Sequence, residues 1–120
     1  MALPHQIISD HTLHPFLFMG CWNKEGPARD AVASAIHARP EKLLILGGDN
    51  IYPEKTPEGK KVYNAAILDR GHRMLGDKII YVTLGNHNVS DPTIRSHELT
   101  DMPATYGHSW IIPHSYYTVT

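Results

Sequence analysis

A single cysteine, Cys21, among 120 residues leaves no partner for an internal disulfide and gives no sign of an oxidising compartment. Charge of one sign is lacking as well: 11 lysines and arginines stand against 12 aspartates and glutamates, a formal net charge of −1. Such a balance carries no electrostatic footprint of a nucleic-acid or membrane partner, although a small site needs no global positive field to act on nucleic acid. Long apolar runs are missing, so no segment is long enough to span a bilayer. The opening "MALPHQIISDHTLH" lacks the apolar core of a signal peptide, and a cytoplasmic protein is the expectation. Repeats and low-complexity tracts are absent too. The length suffices for one domain with one modest core.

What the chain does have is an alternation of apolar runs and helical patterns. Residues 1–14 read as a lead-in, with an edge strand around Ile7 and Ile8 as one option. "PFLFMG", Pro15 to Gly20, fits a buried strand. Gly26-Pro27 opens a helix, since proline suits the first helical position, and Pro40 stops it. Ala28, Val32, Ala35 and Ile36 recur on one face of that helix. "KLLILG", Lys42 to Gly47, is a second strand. After the polar loop Pro53 to Lys61, a second helix is expected from about Val62 to Leu75, with Tyr63, Ile67, Gly71 and Met74 along one stripe and Gly76 as its cap. "KIIYVTL", Lys78 to Leu84, is a third strand whose continuous apolar content suits a parallel strand covered on both faces. The chain past Asn88 reads as irregular until "SYYTV", Ser115 to Val119, a fourth strand. It stops at Thr120 inside that pattern, which predicts a domain cut before its end. The order strand, helix, strand, helix, strand predicts an α/β layer with right-handed crossovers.

Ligands of open α/β sheets bind beyond the carboxyl ends of parallel strands. The three strands here end in "GCWN", "GGDNIY" and "GNHN", so their polar residues should meet at one edge. Glycine before each cluster lets the backbone turn and approach a ligand closely. Asp49 offers two oxygens that can bridge cations. Asn86 offers a neutral oxygen, Tyr52 a phenolate for a hard trivalent ion, and His87 a proton for a leaving group. Two adjacent metals would activate water and neutralise the charge of phosphoryl displacement.

"GGDNIY" followed by "GNHN" resembles the metallophosphoesterase (calcineurin-like) superfamily, whose signatures include G-D-x-x-[DY] and G-N-H-[DE]. Tyrosine three residues after the aspartate is similar to the purple acid phosphatase branch, and "SWIIPHSYYTV" is similar to the W-x-x-P-x-x-Y-Y segment of that branch. The resemblance spans residues 15–120 and implies the N-terminal half of a β-sandwich flanked by helices, β-α-β-α-β with parallel strands. It implies a hydrolase of phosphate esters with two metal ions, iron paired with zinc, manganese or iron. In that pattern Asp49 is the bridging ligand, Tyr52 a ligand of the first metal and Asn86 a ligand of the second. His87 contacts the phosphate or acts as general acid.

Two departures follow. Cys21 stands where the family's first strand ends in an aspartate. A thiolate can bind zinc or iron, and Asn23 could help, whereas a buried free cysteine is often only a small hydrophobe. The family's closing histidines, including a G-H-x-H motif, have no counterpart, because "GHSW" at Gly107 to Trp110 precedes the last strand. The chain is therefore either part of a longer enzyme or a non-catalytic relative that binds a partner or phosphate without turnover. These residues alone are expected to form a weak, incomplete metal site. A generic nucleotide binder is disfavoured by the lack of a glycine-rich phosphate loop. The remaining histidines, His5, His11, His14, His37, His72, His97, His108 and His114, read as surface or loop residues.

Overall fold

The computed structural model describes residues 6–7 and 15–119. Most of the 1–14 lead-in, with Ile8, His5, His11 and His14, lies outside the described residues. The chain is mixed α/β, built on a parallel three-stranded sheet. Strand β1 (Gln6–Ile7) precedes β2 (Phe16–Met19), helix α1 (Pro27–Ala38) and β3 (Leu43–Leu46). A short antiparallel hairpin, β4 (Glu54–Lys55) with β5 (Lys61–Val62), leads to α2 (Ala65–Met74) and β6 (Ile79–Val82). The sheet order is β2-β3-β6, with Phe16 beside Leu43 and Leu43 beside Ile79. Three apolar runs separated by helices thus pair in parallel, as the sequence order requires.

Alternation decides which face is covered. Met19, Leu44, Leu46, Ile80 and Val82 point to one side, where they join Trp22, Ile51, Leu68, Leu75, Ile94, Met102 and Trp110 in the core. Along β2, Phe16 and Phe18 point the other way and remain 56% and 67% exposed. The expectation of a fully buried first strand is therefore corrected. β2 has a strand neighbour on one side only, and its outer face lacks a covering layer among the described residues.

Helix α1 differs from its expected face, whereas α2 turns inward the stripe expected of it, with Ile67 and Gly71 buried and Tyr63 and Met74 packed against the core. In α1 the residues expected to face inward, Ala28, Val32 and Ala35, are exposed, while Arg29 and Ala33 are buried and Ile36 is half-buried. Arg29 can be buried because its guanidinium donates to Asn23 Oδ1 at 2.6 Å and to Asp30 at 2.7 Å. Helix α2 begins later than expected. Val62 belongs to the β4–β5 hairpin, and Asn64 caps the helix by accepting from Ala66 N at 3.0 Å. Gly71 must be glycine there, since a Cβ would fall on the Asn23 carboxamide.

After β6 the chain is helical rather than irregular. Short helices α3 (Asn86–Val89) and α4 (Pro92–Ser96) run into a π-helical turn (His97–Asp101) and α5 (Met102–Tyr106), then a single 3₁₀ turn (Gly107–Ser109). Asp91 caps α4 through Thr93 N and Ile94 N, with Pro92 in the first turn. These turns bury Ile94, Glu98, Met102 and Trp110. Each is too short for its periodicity to register in the sequence.

The fourth strand also moves. Next to β6 stands Ile111, which donates to Ile80 O at 2.8 Å and accepts from Val82 N at 2.9 Å. Pro113 has no N–H to extend the ladder. The predicted strand shrinks to β7 (Thr118–Val119), which pairs in parallel with β1 in a separate two-stranded sheet. Tyr117 ties this end to the main sheet, its hydroxyl lying 2.7 Å from Val82 O and 3.0 Å from Ile111 O. Burial pushes that phenol up to about 12.

Two histidines read as superficial are structural. His72 is buried and hydrogen-bonds Ser109 O through Nε2 at 2.7 Å, with Tyr106 and Trp110 against its ring. Burial holds its pKa below the ordinary value. His97 bridges Asp69 at 2.8 Å and Asp101 at 3.1 Å, fastening the π-helical turn to α2. Burial alone would lower its pKa, but the two carboxylates outweigh burial and raise it. Among the described residues, no helix is long and apolar enough to cross a membrane.

Candidate functional site

Each of the three parallel strands delivers a polar residue at its carboxyl end: Cys21 after β2, Asp49 after β3, and Asn86 and His87 after β6. Backbone geometry brings them together. Cys21 and Asp49 both take a left-handed conformation at φ 49°, and Cys21 N donates to Gly48 O at 3.0 Å. Two glycines allow β3 and β6 to close. A Cβ on Gly48 would sit 3.1 Å from Gly85 Cα, and a Cβ on Gly85 would collide with Asp49 Oδ1 and N.

Asp49 is the centre of the cluster. Its Oδ1 accepts from His87 N at 3.1 Å, and the Cys21 thiol lies 3.6 Å from its Oδ2. Cys21 is exposed, which removes the reading of this residue as a buried hydrophobe. The Tyr52 ring packs on the His87 imidazole at 4.9 Å between centroids. Burial, then the neighbouring Cys21 thiol and the Asp49 charge, hold the Tyr52 phenol protonated well above its ordinary range. All five residues singled out in the sequence, Cys21, Asp49, Tyr52, Asn86 and His87, therefore share one end of the sheet.

The Asn86 amide tests whether this cluster suits a cation. In one orientation its oxygen faces both Asp49 carboxylate oxygens, acceptor against acceptors. Turned over, its nitrogen donates to Oδ2 at 3.2 Å and to Oδ1 at 3.3 Å. The first orientation needs a positive ion between the groups, and the second satisfies itself. Asp49, Asn86, Tyr52 and Cys21 thus supply three kinds of oxygen donor and one sulfur, a set that fits one side of a hard or borderline metal. Among the described residues, no three or more His, Cys, Asp and Glu side chains converge to hold a metal. A closed pair of metals would need further ligands.

Beneath this layer lies a second one that the sequence reading missed. Asn50 is fully buried, and its Oδ1 accepts from Trp22 Nε1 at 3.0 Å. Its Nδ2 donates to Thr83 O at 3.0 Å and to Glu98 Oε1 at 2.8 Å. Asn88, also fully buried, accepts through Oδ1 from Gly85 N at 2.7 Å and Asn50 N at 3.3 Å. Asn50 and Asn88 each directly follow a residue already picked out for chemistry, a signal within reach of the sequence. Glu98 gave none, because it lies in a stretch read as irregular. A cleft of ≈ 550 Å³ opens beside Tyr52, with Lys24, Pro53, Lys55 and Ile67 in its wall. No protein-family model, curated protein or solved structure matches the chain.

Proposed function

We propose that this chain is a metallophosphoesterase-like domain of the purple acid phosphatase kind, acting on phosphate esters. Asp49, Tyr52, Asn86 and Cys21 would hold metal ions, with iron paired with zinc, manganese or iron as the expected set. Bound there, the metals would activate a water and neutralise phosphoryl charge. The observation that supports this most strongly is the convergence of Asp49, Asn86 and His87 from two strand ends, with the Asn86 amide against both Asp49 oxygens and His87 N on Oδ1.

The chain's own residues have defined tasks. The His87 backbone N–H fixes Oδ1 of Asp49, so the carboxylate is oriented before any ligand arrives. The Tyr52 ring, which lines the cleft, packs on the His87 imidazole and restrains it. His87 contacts the phosphate or donates the proton that the leaving group needs. The cleft beside Tyr52 has room for that leaving group.

Hydrolysis of an aryl phosphate by the chain with added Zn²⁺ or Mn²⁺ tests the proposal. Turnover should be slow, should need the metal and should vanish in Asp49→Asn. It should fall by about 10²–10⁴ in His87→Ala, the range for a lost acid–base group. Equal rates in all three proteins would overturn it. Metal binding without any turnover would leave a binding module in place of an enzyme.

A further inference from the structure

Among the described residues, three buried side-chain atoms lack a hydrogen-bond partner, and two of them belong to one network: Asn88 Nδ2 and Glu98 Oε2. Glu98 is fully buried, which is costly for a carboxyl group. Its surroundings explain why an acidic side chain stands there. The Asn50 amide is locked, because Trp22 occupies its oxygen while Thr83 O and Glu98 Oε1 take its two protons. The Asn88 amide is locked as well, because Gly85 N and Asn50 N occupy its oxygen. Each asparagine therefore turns an NH₂ group toward Glu98. A carboxylate, an acceptor at both oxygens with no donor of its own, can receive both NH₂ groups, one on each oxygen. Asn88 lies near enough to favour the ionised form of Glu98, yet the last hydrogen bond is left open.

We infer that Glu98 is the positioning residue of the strand-end site: through Asn50 and Asn88 it sets the backbone of the two loops that carry Asp49, Asn86 and His87. The connection is short. Glu98 holds Asn50, and Asn88 holds the N–H groups of Gly85 and Asn50, which directly flank Asn86 and Asp49. Trp110 Nε1 fixes Glu98 from behind by donating to its carbonyl at 2.9 Å. The inference does not depend on what the outer residues bind.

Ionisation provides the readout. Burial raises the Glu98 carboxyl to about 7, against lowering by the Asn50 amide, the His97 charge and the Asn88 amide, while the Asp49 charge raises it further. A proton on Glu98 puts an O–H donor against an amide donor, which breaks the Asn50 bond or keeps the open Asn88 bond from forming. Proton–nitrogen correlation spectra from pH 5 to 9 should therefore show one shared midpoint near pH 7 for the side-chain amides of Asn50 and Asn88 and the backbone amides of Gly85 and Asn50. Glu98→Gln keeps the shape but offers one acceptor. It should abolish that midpoint and speed hydrogen exchange at Gly85 N by about tenfold, the factor for one lost buried hydrogen bond. Flat signals in the wild type, or the same midpoint in Glu98→Gln, would overturn the inference. Should that variant fail to fold, the wild-type titration decides alone: a shared midpoint supports the role, and unrelated or absent shifts refute it.

Discussion

At three strand ends the chain places a reactive residue next to a scaffolding one: Cys21 beside Trp22, Asp49 beside Asn50, His87 beside Asn88. The first of each pair faces outward and the second inward. Cys21 is exposed, Asp49 and His87 are half-buried, and Trp22, Asn50 and Asn88 are buried. The outer layer is loosely joined, with a thiol 3.6 Å from a carboxylate and the Asn86 amide on that carboxylate at 3.2 and 3.3 Å. The inner layer is nearly saturated, down to two facing atoms. Groups kept free for a ligand cannot also hold the loops that carry them, so that work falls to their neighbours in the chain. The outer layer should then govern chemistry and the inner layer stability.

Asn50→Ala should have the largest effect on stability. It removes three side-chain hydrogen bonds and leaves the buried Trp22 indole N–H and Glu98 Oε1 without partners. A loss of about 3 kcal/mol or more is expected in denaturant melts. Asp49→Asn, one residue away, should cost only about 1 kcal/mol, because it alters the outer layer. Equal losses would erase the distinction between the layers.

Glu98 comes next. Its folded pKa of about 7 lies above the ordinary 4.5. Its contribution is therefore fully present below pH 4.5 and is lost as pH rises through 7. Between pH 5 and 8 the wild type should lose roughly 3 kcal/mol at most. Glu98→Gln, uncharged throughout, should lack that slope. A wild-type stability that is flat or rising over this range would contradict the burial of an ionisable group here.

Gly85→Ala acts where the layers touch. The new Cβ would collide with Asp49, so stability should drop by about 1–3 kcal/mol and the Asp49 amide signal should shift. The smallest effect belongs to a residue outside both layers. Val32→Ser on the exposed face of α1 should change stability by less than about 0.5 kcal/mol. A large loss there would restore the helix face expected from sequence.

The sheet was legible because three continuous apolar runs separated by helical patterns admit few arrangements, and glycine followed by a polar residue marks where each strand stops. The outer site was legible for the same reason. The inner layer was not, because an asparagine after a strand reads equally well as a turn, and only burial tells the two apart. Arg29 and Glu98 escaped notice because charged residues are expected outside; Arg29 is buried through its near neighbours Asn23 and Asp30, and Glu98 through Asn50, far away in sequence. The short helices after Asn88 escaped because four or five residues show no period. Ile111 took the place expected of Ser115 to Val119 because Tyr117 folds back onto the sheet through its hydroxyl, which no pattern announces.

The convergence of the outer layer on a cation is tested most directly by titrating the chain with Mn²⁺ and following the paramagnetic loss of backbone amide signals. Signals of Cys21, Asp49, Tyr52, Asn86 and His87 should fade first and together, and Asp49→Asn should abolish that selectivity while leaving the rest of the spectrum in place. Uniform fading, or an unchanged pattern in Asp49→Asn, would contradict a metal-binding role for the three strand ends.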